Sequence, residues 1–321
     1  MGVDSVDHAT SGAPRAGPEW IESRERGSRT LLRVMTFISL RLGRPAGRVI
    51  LYGIAAYFFL FAPAARRAMR DYLRRALGRK ATPADRFRLI LNFATTIHDR
   101  VYLLNQRYDL FDIRISGRDV IERHCERGGV FLMGAHMGSF EVTRALGLTR
   151  PGGVHVTMAM YADNAHKINS MLAAINPRLL PDIIPLGTID SMLKIHARLE
   201  SGACVGVLGD RTIGPEQLQT VVFLGGPAGF PTSAMKAAAM LRRPVIFMIG
   251  LYRGGNRYQV HFEELVDFSN TPTRERSAAV QRAIEQYAAV LERYCRSDPY
   301  NWFNFFDFWR QSTPSSAGAD G

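Results

Sequence analysis

From residue 83 onward the sequence alternates between helical and strand periodicity, and this alternation constrains the fold more than any single motif. Pro83–Gln106 carries apolar residues at helical spacing, with a proline in its first turn. Phe111–Ser116 alternates like a strand, and Asp119–Glu126 reads as a short helix. Val130–Met133 is a short apolar run closed by glycine, the pattern of a buried strand. Strand patterns return at Val154–Met160, Cys204–Leu208 and Val221–Leu224, and helical ones at Asp163–Ile175, Ile189–Leu199 and Thr232–Leu241. Val245–Leu251 and Tyr258–Glu263 flank Arg253-Gly-Gly-Asn256, a hairpin signal, and Arg274–Cys295 reads as a long helix. Such alternation predicts an α/β fold: a mixed sheet flanked by helices. In sheets of this kind, sites form in loops beyond the carboxyl ends of strands.

The N-terminal third has a different character. Residues 29–80 contain twelve arginines and lysines against one acid, Asp71, whereas the whole 321-residue chain carries a net charge of +12. Nearly all the excess is therefore concentrated in one block, which suits an anionic partner: lipid, nucleic acid or acidic protein. The same block holds the most apolar stretch, Val49–Ala62, which Pro63-Ala64-Ala65 extends to 17 residues before Arg66. A spanning helix needs about 20 apolar residues, and arginines flank both ends, so no orientation is favoured. Leu31–Leu42 and Ala65–Leu77 mix arginines with apolar residues at helical spacing. Charge and apolarity coincide, which predicts membrane-associated helices lying in the headgroup layer of one membrane face. An ordinary helical pair with a solvated arginine face is the plainer alternative. The apolar run starts too late for a secretory signal, and no small-residue cleavage pattern follows it.

The expected organisation is a disordered tail over 1–28, basic membrane-associated helices over 29–80, a catalytic domain over 81–310 and a second disordered tail over 311–321. Three cysteines, Cys125, Cys204 and Cys295, are too few for a disulfide scaffold, and none has C-x-x-C spacing. The chain lacks a phosphate-binding G-x-x-x-x-G-K-[ST], a dinucleotide-binding G-x-G-x-x-G, a zinc-binding H-E-x-x-H and a G-x-S-x-G elbow.

One constellation stands out: Gly134-Ala-His136-Met-Gly-Ser-Phe-Glu141, placed after the strand Val130–Met133 and before a helix expected to begin near Gly138. His136 then sits at the carboxyl end of a strand. Glu141, five residues on, can reach back to the imidazole, fix its tautomer and leave the other nitrogen as a base for a hydroxyl. This is the lower part of a Ser-His-Asp triad, with the substrate's own alcohol replacing the serine. Amides near Gly138 and Ser139 could stabilise an oxyanion, and Ser139 reads as a helix cap rather than a nucleophile. The alternative is a loop histidine capped by a helix carboxylate. Asp210 and Arg211, after the strand Cys204–Leu208, could bind an acceptor headgroup or thioester, or form an internal ion pair. The aromatic run Tyr300–Trp309 reads as core packing or as a wall of an acyl pocket.

Gly-Ala-His136-x-Gly-Ser-x-Glu141 resembles the H-x4-[DE] motif of the lysophospholipid/glycerolipid acyltransferase superfamily, and most closely its bacterial lipid A biosynthesis branch. Gly209-Asp210-Arg211-Thr212 lies where the superfamily carries its third motif. Val222–Pro231, followed by a small-residue helix and Arg243-Pro244, resembles the branch's downstream segment. The similarity covers roughly residues 30–310. Members acting on phosphorylated acceptors often carry an arginine in the second motif region. Met158–Asn164 has none, and the nearest candidates are Lys167 and Arg178.

The resemblance implies a glycerolipid acyltransferase-like fold and transfer of a fatty acyl chain from an acyl thioester to a hydroxyl or amine of a lipid or glycolipid. His136 and Glu141 would be catalytic; Gly138, Ser139, Asp210 and Arg211 would bind substrate. It implies no metal and no cofactor beyond the co-substrate, acyl carrier protein or coenzyme A, of which the acidic carrier suits an arginine-rich surface better. The expected location is the cytoplasmic face of a bacterial inner membrane, held peripherally or monotopically or by a single N-terminal span, among membrane lipids and without nucleic acid. The competing class is a non-catalytic basic protein that binds membranes or nucleic acid.

Overall fold

The computed structural model describes residues 29–125, 127–143, 156–161, 182–211 and 217–309. Helices α1 (Arg29–Phe61), α2 (Pro63–Leu77) and α3 (Pro83–Leu104) precede strand β1 (Asp112–Ser116) and helix α4 (Arg118–Cys125). There follow β2 (Phe131–Gly134), β3 (Val156–Tyr161), β4 (Ile183–Leu186), α5 (Ile189–Glu200) and β5 (Cys204–Leu208). The chain continues through β6 (Leu218–Phe223), β7 (Gly226–Pro231), α6 (Ser233–Met240), β8 (Pro244–Tyr252), β9 (Arg257–Asp267) and α7 (Arg276–Ser297).

Seven strands form one sheet in the order β1-β9-β8-β2-β5-β3-β4. β8, β2, β5, β3 and β4 are mutually parallel; β9 runs against β8, and β1 runs with β9. The mixed α/β fold expected from the alternation is therefore present, with a predominantly parallel sheet. β8 is buried along its whole length, as a central strand covered on both faces must be. Side-chain alternation along β2 sends Phe131 and Met133 into one core and Val130 and Leu132 into the other, one on each face of the sheet.

Two strands escape sequence patterning. β4 contains Pro185 and is tolerated because it lies at the sheet edge. β7 (GPAGFP) pairs with β6 in a separate two-stranded ribbon, turned by Leu224 and Gly225, both at positive φ. The predicted helix Asp163–Ile175 and both expected tails lie outside the described residues.

The N-terminal helices are built into this core. α1 kinks at Gly43 (φ 81°) with Pro45 just beyond. α3 starts in a capping box in which the Thr82 and Asp85 side chains each serve the other's backbone amide, with Pro83 in the first turn. Met69, Tyr72 and Leu73 of α2 are fully buried among residues of the sheet and α7, and the Tyr72 hydroxyl donates to Pro299 O at 2.8 Å. Much of the basic block also turns inward. Arg44 makes a two-pronged pair with Asp99 (2.7 and 2.8 Å), Arg48 donates to Gly255 O and the Tyr252 hydroxyl, and Arg66 caps the carbonyls of Phe59 and Leu60. Arg75 lies over the Trp309 ring and Arg79 pairs with Asp85. These arginines hold the helices in place, so the sequence-based count of charge available to a polyanion was too high. Among the described residues no single helix is long and apolar enough to cross a membrane; the pair Arg41–Phe61 and Pro63–Leu77 meets that composition only together, across a 96° bend.

Candidate active site

β2 and β5 are adjacent and parallel, with Gly134 opposite Leu208. The chain therefore leaves both strands at the same edge of the sheet, and the loops after them meet. The Gly209 amide donates to Gly134 O at 3.0 Å, which sets Asp210 directly beside His136. His136 Nδ1 and Asp210 Oδ1 are 2.8 Å apart, and the His136 backbone amide donates to the same oxygen at 3.2 Å. The other oxygen, Oδ2, accepts from Trp302 Nε1 at 3.0 Å and from the Arg211 guanidinium at 3.1 Å. Asp210 is wholly buried, whereas the His136 side chain remains 39% exposed. The geometry thus fixes one imidazole nitrogen against a carboxylate and leaves the ring partly accessible.

Burial works to raise the Asp210 pKa, but the charges of His136 and Arg211 and the hydrogen bonds from His136 and Trp302 outweigh it. The carboxyl is held well below its usual range. His136 is shifted below its ordinary value of 6.5, first by burial and then by the charge of Arg211, against the opposing pull of Asp210. A base must be neutral to accept a proton, so this shift keeps it in the competent form at neutral pH. Activity that depends on it falls as the pH drops through the lowered value.

Glu141 is placed differently from the sequence expectation. Its carboxylate, largely buried, forms an ion pair with Arg100 of α3 (Nε to Oε1, 2.9 Å) without hydrogen-bond alignment, and Oε2 has no hydrogen-bond partner. The imidazole partner is Asp210, 74 residues away in sequence. The helix after the motif begins at residue 141 rather than near Gly138. The two amides expected to form an oxyanion hole are both engaged: Gly138 N–H donates to Asn301 O (2.9 Å) and Ser139 N–H to Gly250 O (2.7 Å). Gly138 sits at φ +66°, and a Cβ there would lie 2.0 Å from Gly250 O, so the position demands glycine for close approach to β8. The buried Ser139 hydroxyl has no hydrogen-bond partner and caps nothing. Asp210 has no exposed surface and contacts His136. Arg211 is one-eighth exposed, pairs with Asp210 and lies over the Phe306 ring at 4.9 Å.

Sequence reasoning missed Trp302 as a site residue, although the aromatic run containing it was conspicuous. It also missed Arg100, whose only signal was a cation inside an otherwise amphipathic helix. Among the described residues no group of three or more His, Cys, Asp or Glu side chains is placed to hold a metal ion.

A partly exposed imidazole backed by a buried carboxylate stands at the carboxyl edge of the α/β sheet, the edge where sites form in folds of this kind. The family model for bacterial lipid A biosynthesis acyltransferases matches residues 28–311, and the chain belongs to that family. It is an acyltransferase, and its family membership points to acyl transfer to a lipid acceptor. The non-catalytic alternative is thereby set aside. No curated protein matches the chain in sequence.

Proposed function

We propose that this protein moves a fatty acyl chain from an acyl thioester to a hydroxyl or amine of a lipid or glycolipid, with His136 as general base. The observation that carries this reading is the His136–Asp210 pair with its imidazole partly open. His136 Nε2 takes the proton of the acceptor O–H or N–H as the acceptor atom attacks the thioester carbonyl. The tetrahedral intermediate collapses, the C–S bond breaks, and the imidazolium returns the proton to the departing thiolate. Asp210 holds the tautomer and steadies the imidazolium. Glu141 acts indirectly, by holding Arg100 near the ring; Arg100 and Arg211 both disfavour premature protonation of His136. With the Gly138 and Ser139 amides engaged, positive charge at the site comes from these two arginines. The mechanism uses no metal and no bound cofactor.

The proposed donor is an acyl carrier protein rather than coenzyme A, because an acidic carrier gains from the arginines left outward-facing on α2. The proposed location is the cytoplasmic face of a bacterial inner membrane. Contact with lipid is assigned to α1, where Val49, Tyr57, Phe58, Leu60 and Phe61 are each more than half exposed; apolar exposure of this kind marks an interaction surface.

The test is lipid mass spectrometry on cells making the wild-type protein or His136→Ala, looking for a lipid that gains one acyl chain only with the wild type. Purified His136→Ala protein should transfer about 10²–10⁴-fold more slowly. Near wild-type transfer by the folded variant would overturn the mechanism. The same assay with carrier-bound and coenzyme A-bound acyl groups at equal concentration tests the donor: equal rates, or a carrier advantage that salt does not reduce, would sink electrostatic docking.

A further inference from the structure

The conspicuous aromatic segment near the C-terminus is not only core. Residues 301–303 lie across the loop that carries the base. Met137 and Trp302 form an antiparallel bridge; Phe303 N–H donates to His136 O at 2.9 Å and Gly138 N–H to Asn301 O at 2.9 Å. The Asn301 side chain ties the segment to the end of β8, accepting from Tyr252 N–H at 2.8 Å and donating to Tyr252 O at 3.2 Å. Trp302 is wholly buried, its ring edge-on to Tyr72 and Phe308 with centroids 4.8 and 5.0 Å away.

We infer that residues 300–309 form a strap that positions the catalytic pair, with the Trp302 indole N–H fixing Asp210 and, through it, His136. This rests on the reading of His136 as general base. The physical case lies in how the five donor atoms are divided. Oδ1 of Asp210 receives the two donors of His136, and Oδ2 receives Trp302 together with Arg211 Nη2 (3.1 Å) and Nε (3.4 Å). Arg211 brings a charge and one-eighth exposure; the indole brings a neutral, donor-only N–H on a rigid, enclosed ring. A carboxylate satisfied on both oxygens cannot swing. Without the indole donor, a buried lone pair on Oδ2 is left unsatisfied, and Asp210 gains by reorienting at the expense of His136. Trp302 is therefore a positioning residue: it touches no reacting atom.

The test uses the full chain carrying Trp302→Phe, which keeps a ring and deletes the donor. The expected kcat falls about 10–100-fold, the loss of one charge-assisted hydrogen bond in a buried site, with KM little changed. An Asp210 that reorients supports the His136 imidazolium less, so the acid limb of the kcat/KM profile, and the NMR titration of the His136 ring, should move to lower pH. Should Trp302→Phe fail to fold, benzothienylalanine installed at position 302 by stop-codon suppression keeps the ring volume and removes the N–H. A kcat within about twofold of wild type would overturn the proposal. So would a kcat loss with an unmoved His136 titration, which would mean packing alone. If instead His136→Ala transfers normally, the functional reading falls, while the ring titration in the position-302 variant still decides whether the strap tunes this histidine.

Discussion

Two buried aspartates in this molecule sit in nearly the same company. Asp99 on α3 receives Arg44 (2.7 and 2.8 Å) and the Tyr258 hydroxyl (2.7 Å), next to His98. Asp210 after β5 receives Arg211 (3.1 Å) and the Trp302 indole (3.0 Å), next to His136. Both carboxylates are entirely buried. The difference lies in the imidazoles. His98 is turned away from its aspartate, with Nδ1 3.9 Å from Oδ1 and Nε2 engaged with the Ser39 hydroxyl at 3.0 Å, and its side chain is 1% exposed. His136 faces its aspartate and keeps its ring partly exposed. Similar residue types thus clamp α1 to α3 and β9 in one place and hold the proposed base in the other. A carboxylate, a cation and an aromatic donor make a rigid anchor; the accessible imidazole is what the proposed chemistry adds to it.

Substituting each aspartate should separate the two roles. Asp210→Asn retains the shape but offers an amide where His136 needs an anion, and should lower kcat roughly 10³–10⁴-fold, as loss of the orienting carboxylate does in catalytic triads. Asp99→Asn leaves Arg44 buried beside a neutral group and should cost about 3–5 kcal/mol in denaturant unfolding. Its kcat per folded molecule should stay within about twofold of wild type. If Asp99→Asn lowers kcat as much as Asp210→Asn does, the distinction between anchor and site is wrong. The smallest effect on folding should come from the outer side of the helix that Asp99 clamps. Replacing Phe58, Leu60 and Phe61 together by serine should change stability by under about 1 kcal/mol and leave both aspartate clusters intact. It should also release the protein from anionic vesicles in high-salt flotation. Retention of the triple variant on vesicles would place the membrane contact elsewhere. Deleting the helices outright would be a poor test, because Tyr72 and Leu73 belong to the shared core.

Local chemistry was the part of this molecule legible in its sequence. Cys204–Leu208 was expected as a strand and has those bounds, because five consecutive residues with apolar side chains or glycine between turn residues leave few other solutions. The Arg253–Asn256 hairpin was legible because Gly254 and Gly255 supply the two positive φ values it needs. β7 was not, since glycine and proline depress strand propensity, and only the buried faces of Phe230 and Ala228 against the aromatic strap compensate. At the site, His136 and Asp210 were each picked out, but their pairing was not. Glu141 was the nearer carboxylate along the chain, whereas the parallel register of β2 with β5 makes Asp210 the nearer one in space. The inward arginines were equally hidden, because a charge count along a helix does not say which side meets a buried acid.

The position of the strap in the chain bears on how the enzyme is made. Trp302 meets Asp210 across 92 residues and Tyr72 across a still longer separation, so these contacts close large loops and form late in folding. Synthesis runs from the N-terminus, and β2, β5, His136 and Asp210 are made before residues 300–309. A nascent chain therefore carries its histidine and aspartate before the segment that locks them, and the pair gains its Trp302 contact only once residues 300–309 have been made.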